Sequence, residues 1–374
     1  MTNPIQHVVI IVKENHTFDN YFGTFPGANG VTLPQAPDPQ KTDPRHDHVA
    51  WLAGSGLKTQ YKQKDIGTYW AYAQQYTLCD NYFTDVASQS EPNHLHTFAA
   101  FSPVIDNTSN GRNYQPQPPF DIQSLPAVLE AAGHTWRDYA DPNASYFPDV
   151  KALAGSTSIV PSSQFLTDLA AGSLPAVSWL FAPSGFSEHP GGTKPIVAPG
   201  MKWTSDRVQA IASSKLWPST AIFIIWDDWG GWYDHVAPPL AQRWAGGGPT
   251  GYANSQFRYG NRVPCLVLSP YARQAVNHDF FSHVSLVKFC LRLFGLTAWN
   301  VPALAPGDPS GDLWSCFDFT SPPRLGVPTV KPAATPTALR SRTASKAKST
   351  TASGDTTAPR KPKAKTSMAK NRRS

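Results

Sequence analysis

His7-Val8-Val9-Ile10-Ile11-Val12 runs into Glu14-Asn15, and Ala221-Ile222-Phe223-Ile224-Ile225 runs into Asp227-Asp228. Short β-branched apolar runs of this kind are the pattern of strands buried on both faces of a parallel sheet. In open α/β sheets, ligands collect beyond the carboxyl ends of the strands. Both strand ends here carry oxygen donors, three carboxylates and one amide. Carboxylates gathered at one point repel each other unless a cation sits among them. The two stretches therefore predict an α/β fold with a metal-assisted reaction at the carboxyl end of its sheet.

Working outward, further strands are expected at 176–182 and 263–268, with Pro264 favouring a strand start or an edge. Helical spacing appears near 66–76, 124–132, 163–171, 204–214 and 282–294, the last with Ser282 as N-cap. Alternating strands and helices imply a mostly parallel sheet covered on both faces. Loops rich in Gly and Pro at 23–60, 102–123 and 184–202 follow the donor-bearing elements and are expected to wall a substrate pocket.

Twelve of the 32 lysines and arginines, but one of the 26 acidic residues, lie between Lys331 and Ser374. An acidic body thus carries a basic extension. From about Ser321, Pro, Ala, Thr, Ser, Lys and Arg replace the hydrophobics, so the segment cannot offset its ordering entropy. The expected organisation is a catalytic domain over 1–320 and a disordered basic tail over 321–374. Such a tail could contact an anionic polymer or a membrane surface without specificity, through counterion release. No apolar run approaches the roughly 18–20 residues of a transmembrane span. The first residues show no basic n-region and no apolar h-region, which sets a cytoplasmic location as the default expectation. Four widely spaced cysteines, Cys79, Cys265, Cys290 and Cys316, argue against a zinc cluster or a dense disulfide scaffold. Buried free thiols are the expectation, with one or two bridges open if the chain is exported.

Four segments carry the chemistry. Glu14-Asn15-His16-Thr17-Phe18-Asp19 offers hard oxygen donors, or else a capped turn. In Ser88-Gln89-Ser90-Glu91-Pro92-Asn93-His94, a rigid polar turn could present the Ser90 hydroxyl as a nucleophile. In Asp227-Asp228-Trp229-Gly230-Gly231-Trp232-Tyr233-Asp234-His235, two glycines let the backbone approach a dense ligand field. In Ser187-Glu188-His189-Pro190, the histidine could donate to a phosphoryl oxygen or protonate a leaving group, or simply sit on a surface loop. His46 and His48 are weaker candidates, and His7, His278 and His283 read as structural.

These segments, in this order, resemble the bacterial phosphoesterase family that contains phosphocholine-type phospholipases C and acid phosphatases. The resemblance extends to Arg262-Val263-Pro264 and Leu268-Ser269-Pro270-Tyr271-Ala272, spanning residues 5 to about 318. It implies an alkaline phosphatase-like three-layer α/β/α sandwich around a mostly parallel sheet. By position it implies Glu14, Asn15, Asp227 and Asp228 as metal ligands, and Ser90 as a nucleophile that also touches the metal. His189 and His235 become phosphate-contacting or acid/base groups. The implied cofactor is a divalent cation, with Ca²⁺, Mg²⁺, Mn²⁺ and Zn²⁺ all open, and the implied partner is a phosphate-ester substrate. Many members of the family act outside the cytoplasm. Ser90 and His94 stand where the phospholipase branch favours threonine and arginine, which leans the expectation towards an acid-phosphatase-like monoesterase working through phosphoserine. A phospholipase C-like phosphodiesterase and a non-catalytic phosphate-ester binder stay open. A sulfatase is disfavoured because His94 replaces the arginine of that signature.

Overall fold

A computed structural model describes residues 3–110, 113–297 and 308–331. The apolar run at the amino end becomes the strand β1 (His7–Lys13), the centre of an eight-stranded sheet. Four more strands of this sheet precede the second decisive stretch: β2 (Thr77–Cys79), β4 (Trp136–Tyr139), β6 (Val177–Phe181) and, between the last two, the short β5 (Ile159–Val160). That stretch is β7 (Thr220–Trp226), and β10 (Cys265–Leu268) and β11 (Ala275–Asn277) follow it. The strand order is β11-β2-β10-β7-β1-β6-β4-β5. Only β10 runs antiparallel to its neighbours in this sheet. Two small ribbons pair β3 (Tyr82–Phe83) with β12 (Phe281–Ser282), and β8 (Gln242–Arg243) with β9 (Gln256–Arg258).

Every residue of β7 is buried, and β1 is buried from Val8 onward, so both faces of the sheet are covered. Each buried Val or Ile of these strands contributes about 1.5–3 kcal/mol. The helices are α1 (Phe18–Phe22), α2 (His48–Leu52), α3 (Gly67–Gln75), α4 (Ser90–Ala99), α5 (Leu125–Ala131), α6 (Gln164–Ala171), α7 (Val197–Ala212) and α8 (Val284–Leu293). α4 packs on α5 and α8, while α3 and α6 pack on α7. The expected layered α/β architecture with a mostly parallel sheet is what the chain adopts.

Some expectations shift. Pro264 lies just outside β10, which is an interior strand between β2 and β7. Ser282 belongs to β12, and His283 caps α8 without a side-chain bond. α7 starts seven residues earlier than its apolar spacing suggested, taking Pro199 and Gly200 into its first turn, where Pro is tolerated. The chain past position 320 is hydrogen-bonded to the body: Arg324 Nη1 donates to Gln75 O at 2.7 Å and Gln209 Nε2 to Pro328 O at 2.8 Å. The basic tail from 332 lies outside the described residues. All four cysteines are buried free thiols, with Cys79 and Cys316 sulfurs 3.7 Å apart. No helix among the described residues is long and apolar enough to cross a membrane.

Asp138 in β4 is fully buried, and its Oδ1 has no hydrogen-bond partner among the described residues. Burial pushes its carboxyl up to about 7, against the pull of the Ser145 hydroxyl. The fold therefore prefers the protonated form. That stabilisation is fully present below the unfolded value near 4 and is lost as pH rises towards 7, an effect on the order of 2–4 kcal/mol. Asp138→Asn is expected to narrow the stability difference between pH 5 and pH 7.5 in urea unfolding. An unchanged difference would remove Asp138 as its source.

Candidate active site

Register builds the site. β1 and β7 pair in parallel with Lys13 opposite Trp226, so Glu14-Asn15 and Asp227-Asp228 leave the sheet side by side. Asn15 takes a left-handed backbone (φ +64°), a conformation Asn tolerates better than most residues. Its N–H donates to Asp227 Oδ1 at 3.0 Å. Gly230 seals this corner from behind (φ +56°), where a Cβ would sit 2.3 Å from the Asn15 carbonyl oxygen. The Gly230 N–H in turn donates to Asp228 Oδ1 at 2.6 Å.

Ser90 donates through Oγ to the other Asp228 oxygen, Oδ2, at 3.1 Å. It opens the ten-residue helix α4, where the sequence suggested only a turn. Negative charge developing on Ser90 or on a bound phosphoryl group would therefore meet the positive end of a helix. One turn along, His94 shares Ser90's helix face. Its Nε2 lies 3.2 Å from Asp227 Oδ2 and 3.9 Å from Glu14 Oε1. Neither His94 ring nitrogen, nor Asp227 Oδ2, finds a well-formed hydrogen bond among the described residues.

The acids feel one another. Burial, then the Asp227 charge, raises Glu14 to about 8. The same two causes raise Asp228 well above the usual carboxylate range. Burial also works upward on Asp227, but His94 beside it brings the net shift down to about 2. The Asn15 amide completes the cluster. One of its two terminal atoms lies 3.0 Å from Glu14 Oε2 and 3.2 Å from Asp227 Oδ1, and the other faces His189 Nε2 at 3.2 Å and His46 Nε2 at 3.3 Å. Three crowded carboxylates, one of them with an oxygen that lacks a well-formed hydrogen bond, and the His94 imidazole against them are a donor set that fits a divalent cation.

The structure thus brings Glu14, Asn15, Ser90, Asp227, Asp228 and His189 together. Of these, Glu14, Ser90 and His189 line a cavity of about 630 Å³ together with His94, and Asn15, Asp227 and Asp228 are fully buried. Asp43 and His46 join the same wall, and with His189 they form a second group of converging ligand atoms. His235 stands elsewhere: its Nδ1 is 2.7 Å from Asp19 Oδ2 and its Nε2 3.2 Å from Asn29 Oδ1, beside Arg262. It does not line the cavity. Glu188, next to His189, is a structural residue, fully buried against Lys13 Nζ at 3.3 Å. Sequence reasoning missed His94, Asp43 and the weight of His46. The Ser90-to-His94 spacing of one helical turn was the available signal for the first, but it counts only once a helix is recognised there.

The sequence profile of the Phosphoesterase family matches this chain over residues 5–51 and 47–297. The chain belongs to that family. Among curated proteins it is 28% identical over 405 residues to the non-hemolytic phospholipase C of Pseudomonas aeruginosa, covering 85% of this chain and 58% of that protein. It is 26% identical over 416 residues to phospholipase C A of Mycobacterium tuberculosis, covering 87% and 79%. A solved structure of an alkaline phosphatase superfamily protein from Vibrio parahaemolyticus is similar at a TM-score of 0.48 and 13% identity, covering 84% of this chain and 70% of that one. The family is one of hydrolases of phosphoric ester bonds.

Proposed function

We propose that this chain is a metal-dependent phosphoesterase that uses Ser90 as its nucleophile, with phospholipid-type diesters as its leading substrate class. The observation that carries the reading is the Ser90 hydroxyl resting on Asp228, at the start of α4 and beside Glu14, Asn15 and Asp227. A divalent cation held by Glu14, Asn15, Asp227 and Asp228 would acidify a neighbouring hydroxyl and offset phosphoryl charge. Ser90 Oγ attacks phosphorus as the bond to the leaving oxygen breaks; its proton passes to Asp228 Oδ2 and from there to solvent, and the departing oxygen takes a proton from water and leaves as the alcohol. Water then cleaves the resulting Ser90 ester and restores the hydroxyl. The amino end of α4 favours the charge that gathers on the phosphoryl oxygens. His189, on the cavity wall, is in place for phosphoryl contact, while His235 is assigned to the Asp19–Arg262 network and not to the chemistry.

The preference for diesters rests on charge and on kinship. The cavity walls include Glu14, Asp43 and Asp141, and none of the described residues that line it is Lys or Arg. A dianionic monoester would meet that field with little to offset it, whereas a diester bears one charge and can carry a cationic head group. The curated relatives named above are phospholipases C. The monoesterase reading keeps one specific observation, Ser90 and His94 in place of the threonine and arginine favoured by the phospholipase branch.

The test is hydrolysis of p-nitrophenylphosphorylcholine against p-nitrophenyl phosphate, each with and without chelator. The expected result is faster cleavage of the diester, abolished by chelator and restored by a divalent ion. Faster cleavage of the monoester would transfer the chain to the phosphatase branch. Chelator-resistant turnover would contradict the role given to the acidic cluster.

A further inference from the structure

Lys13 is the last residue of β1 and Trp226 the last of β7, and the two are register partners, so their side chains leave the same face of the sheet. The next residue on each strand begins a donor pair, Glu14-Asn15 and Asp227-Asp228. Both side chains meet one carboxylate. Glu188 Oε1 lies 3.3 Å from Lys13 Nζ and accepts from the Tyr69 hydroxyl at 2.5 Å. Glu188 Oε2 accepts from Trp226 Nε1 at 3.2 Å and from the Tyr21 hydroxyl at 2.8 Å. Two oxygens thus serve four donors, and all five side chains are buried.

Glu188 does not line the cavity that Ser90 opens on, but the residue after it does. Its backbone is left-handed (φ +76°), a region that a glutamate seldom occupies. Such a conformation persists only where the surroundings over-determine it. Here the four donors grip the side chain, and Gly200 of α7 comes so close that a Cβ there would lie 2.3 Å from Glu188 Cγ. The carbonyl of Ser187 accepts from the Glu14 N–H at 2.9 Å. That bond fixes where the loop after β6 passes β1, but not how the chain turns beyond it. The turn is made at Glu188, whose side chain enters the core while His189 faces the cavity.

We infer that Glu188 is a positioning residue: its carboxylate hooks the loop after β6 to the ends of β1 and β7, and so sets where His189 stands against the donors those strands carry. The inference rests on the reading of His189 as a phosphoryl contact and adds the device that places it. The two strands are interior to the sheet and give a rigid frame. The loop has no ladder of its own, and Glu188 refers it to that frame through Lys13 and Trp226. Burial makes Glu188 structural, and its place in the chain makes that structure matter to the reaction. A misplacement of about 1 Å at a group that contacts the substrate can cost about 100-fold in rate.

The test is a double-substitution cycle on the full chain, with Glu188→Gln, His189→Ala and both together. It is read by kcat/KM for p-nitrophenylphosphorylcholine and by the imidazole Cε1–H NMR signal of His189, assigned by its loss in His189→Ala. Glutamine keeps the size of the side chain, but its amide nitrogen cannot accept, so the donors facing that end lose their partner. With His189 in place, Glu188→Gln is expected to lower kcat/KM about 10–100-fold and to shift or split the His189 signal. In the His189→Ala background the same substitution is expected to cost less than about threefold, since no imidazole remains to be placed. Equal losses in the two backgrounds would overturn the inference, by making Glu188 a support of the whole site. So would full activity, or a His189 signal that does not move. Tyr69→Phe removes one donor and leaves the carboxylate, and it is expected to repeat the pattern at about 3–10-fold, which keeps the test open if Glu188→Gln does not fold. If the unsubstituted chain cleaved no phosphate ester, the proposed function would fall, and the His189 signal alone would decide whether Glu188 positions that ring.

Discussion

Ser90→Ala is expected to lower kcat on the order of 10⁴-fold or more, while the protein folds and still binds a divalent cation. The loss is large because the proposed reaction has no second nucleophile: among the described residues lining the cavity there is no cysteine or threonine, and Ser109, Ser184 and Ser187 lack the Asp228 contact. The fold should tolerate the change. One hydroxyl is removed at the wall of an open cavity, and Asp228 keeps its bond from the Gly230 N–H at 2.6 Å. Steady-state kinetics beside a thermal melt would separate the two effects. A variant that melts normally and keeps more than a few per cent of wild-type turnover would remove Ser90 from the nucleophile position. Ser90→Thr, the residue of the phospholipase branch, is expected to retain measurable turnover.

Asp228→Asn should produce a split response. Cation affinity and turnover are expected to fall at least about 100-fold, because a charged donor is lost from a site held by few charges. The metal-free protein is expected to become more stable. Burial and the Asp227 charge both oppose ionisation of Asp228, and a neutral amide removes that opposition. The unsubstituted protein, by contrast, should gain about 2.7 kcal/mol when the cation is at 100 times its Kd. Thermal melts with chelator and with saturating Mn²⁺ would show the crossover: Asp228→Asn melting higher without metal and lower with it. A variant that melts lower in both conditions would mean that Asp228 is a structural residue.

The parts of this site that were legible in the sequence are those where one feature changes abruptly along the chain. β1 and β7 are unbroken apolar runs that end at acids, so both the strands and their donors could be read directly. α4 could not. All ten of its residues are buried, polar and apolar alike, so no apolar stripe marks it, and Pro92 in its first turn imitates a loop. With that helix hidden, His94 had no reason to be placed beside Ser90. Asp43 and His46 were hidden differently. They sit on a loop without regular spacing, and only tertiary folding brings them to His189. His235 shows the opposite error: its adjacency to Asp227-Asp228 in the chain suggested chemistry, but the turn through Gly230 and Gly231 carries it to Asp19 and Arg262. Residues 321–331 read as tail from composition, yet backbone carbonyls of that segment are held by Gln75 and Gln209 side chains. Composition cannot report such contacts.

The central claim is that Ser90 becomes covalently attached to phosphorus during turnover. The stereochemical course at phosphorus tests it directly, using one diastereomer of a chiral phosphorothioate diester hydrolysed in heavy-oxygen water. Two successive in-line displacements, first by Ser90 and then by water, predict net retention of configuration. Net inversion would mean that water attacks the substrate in a single step, and would contradict the account.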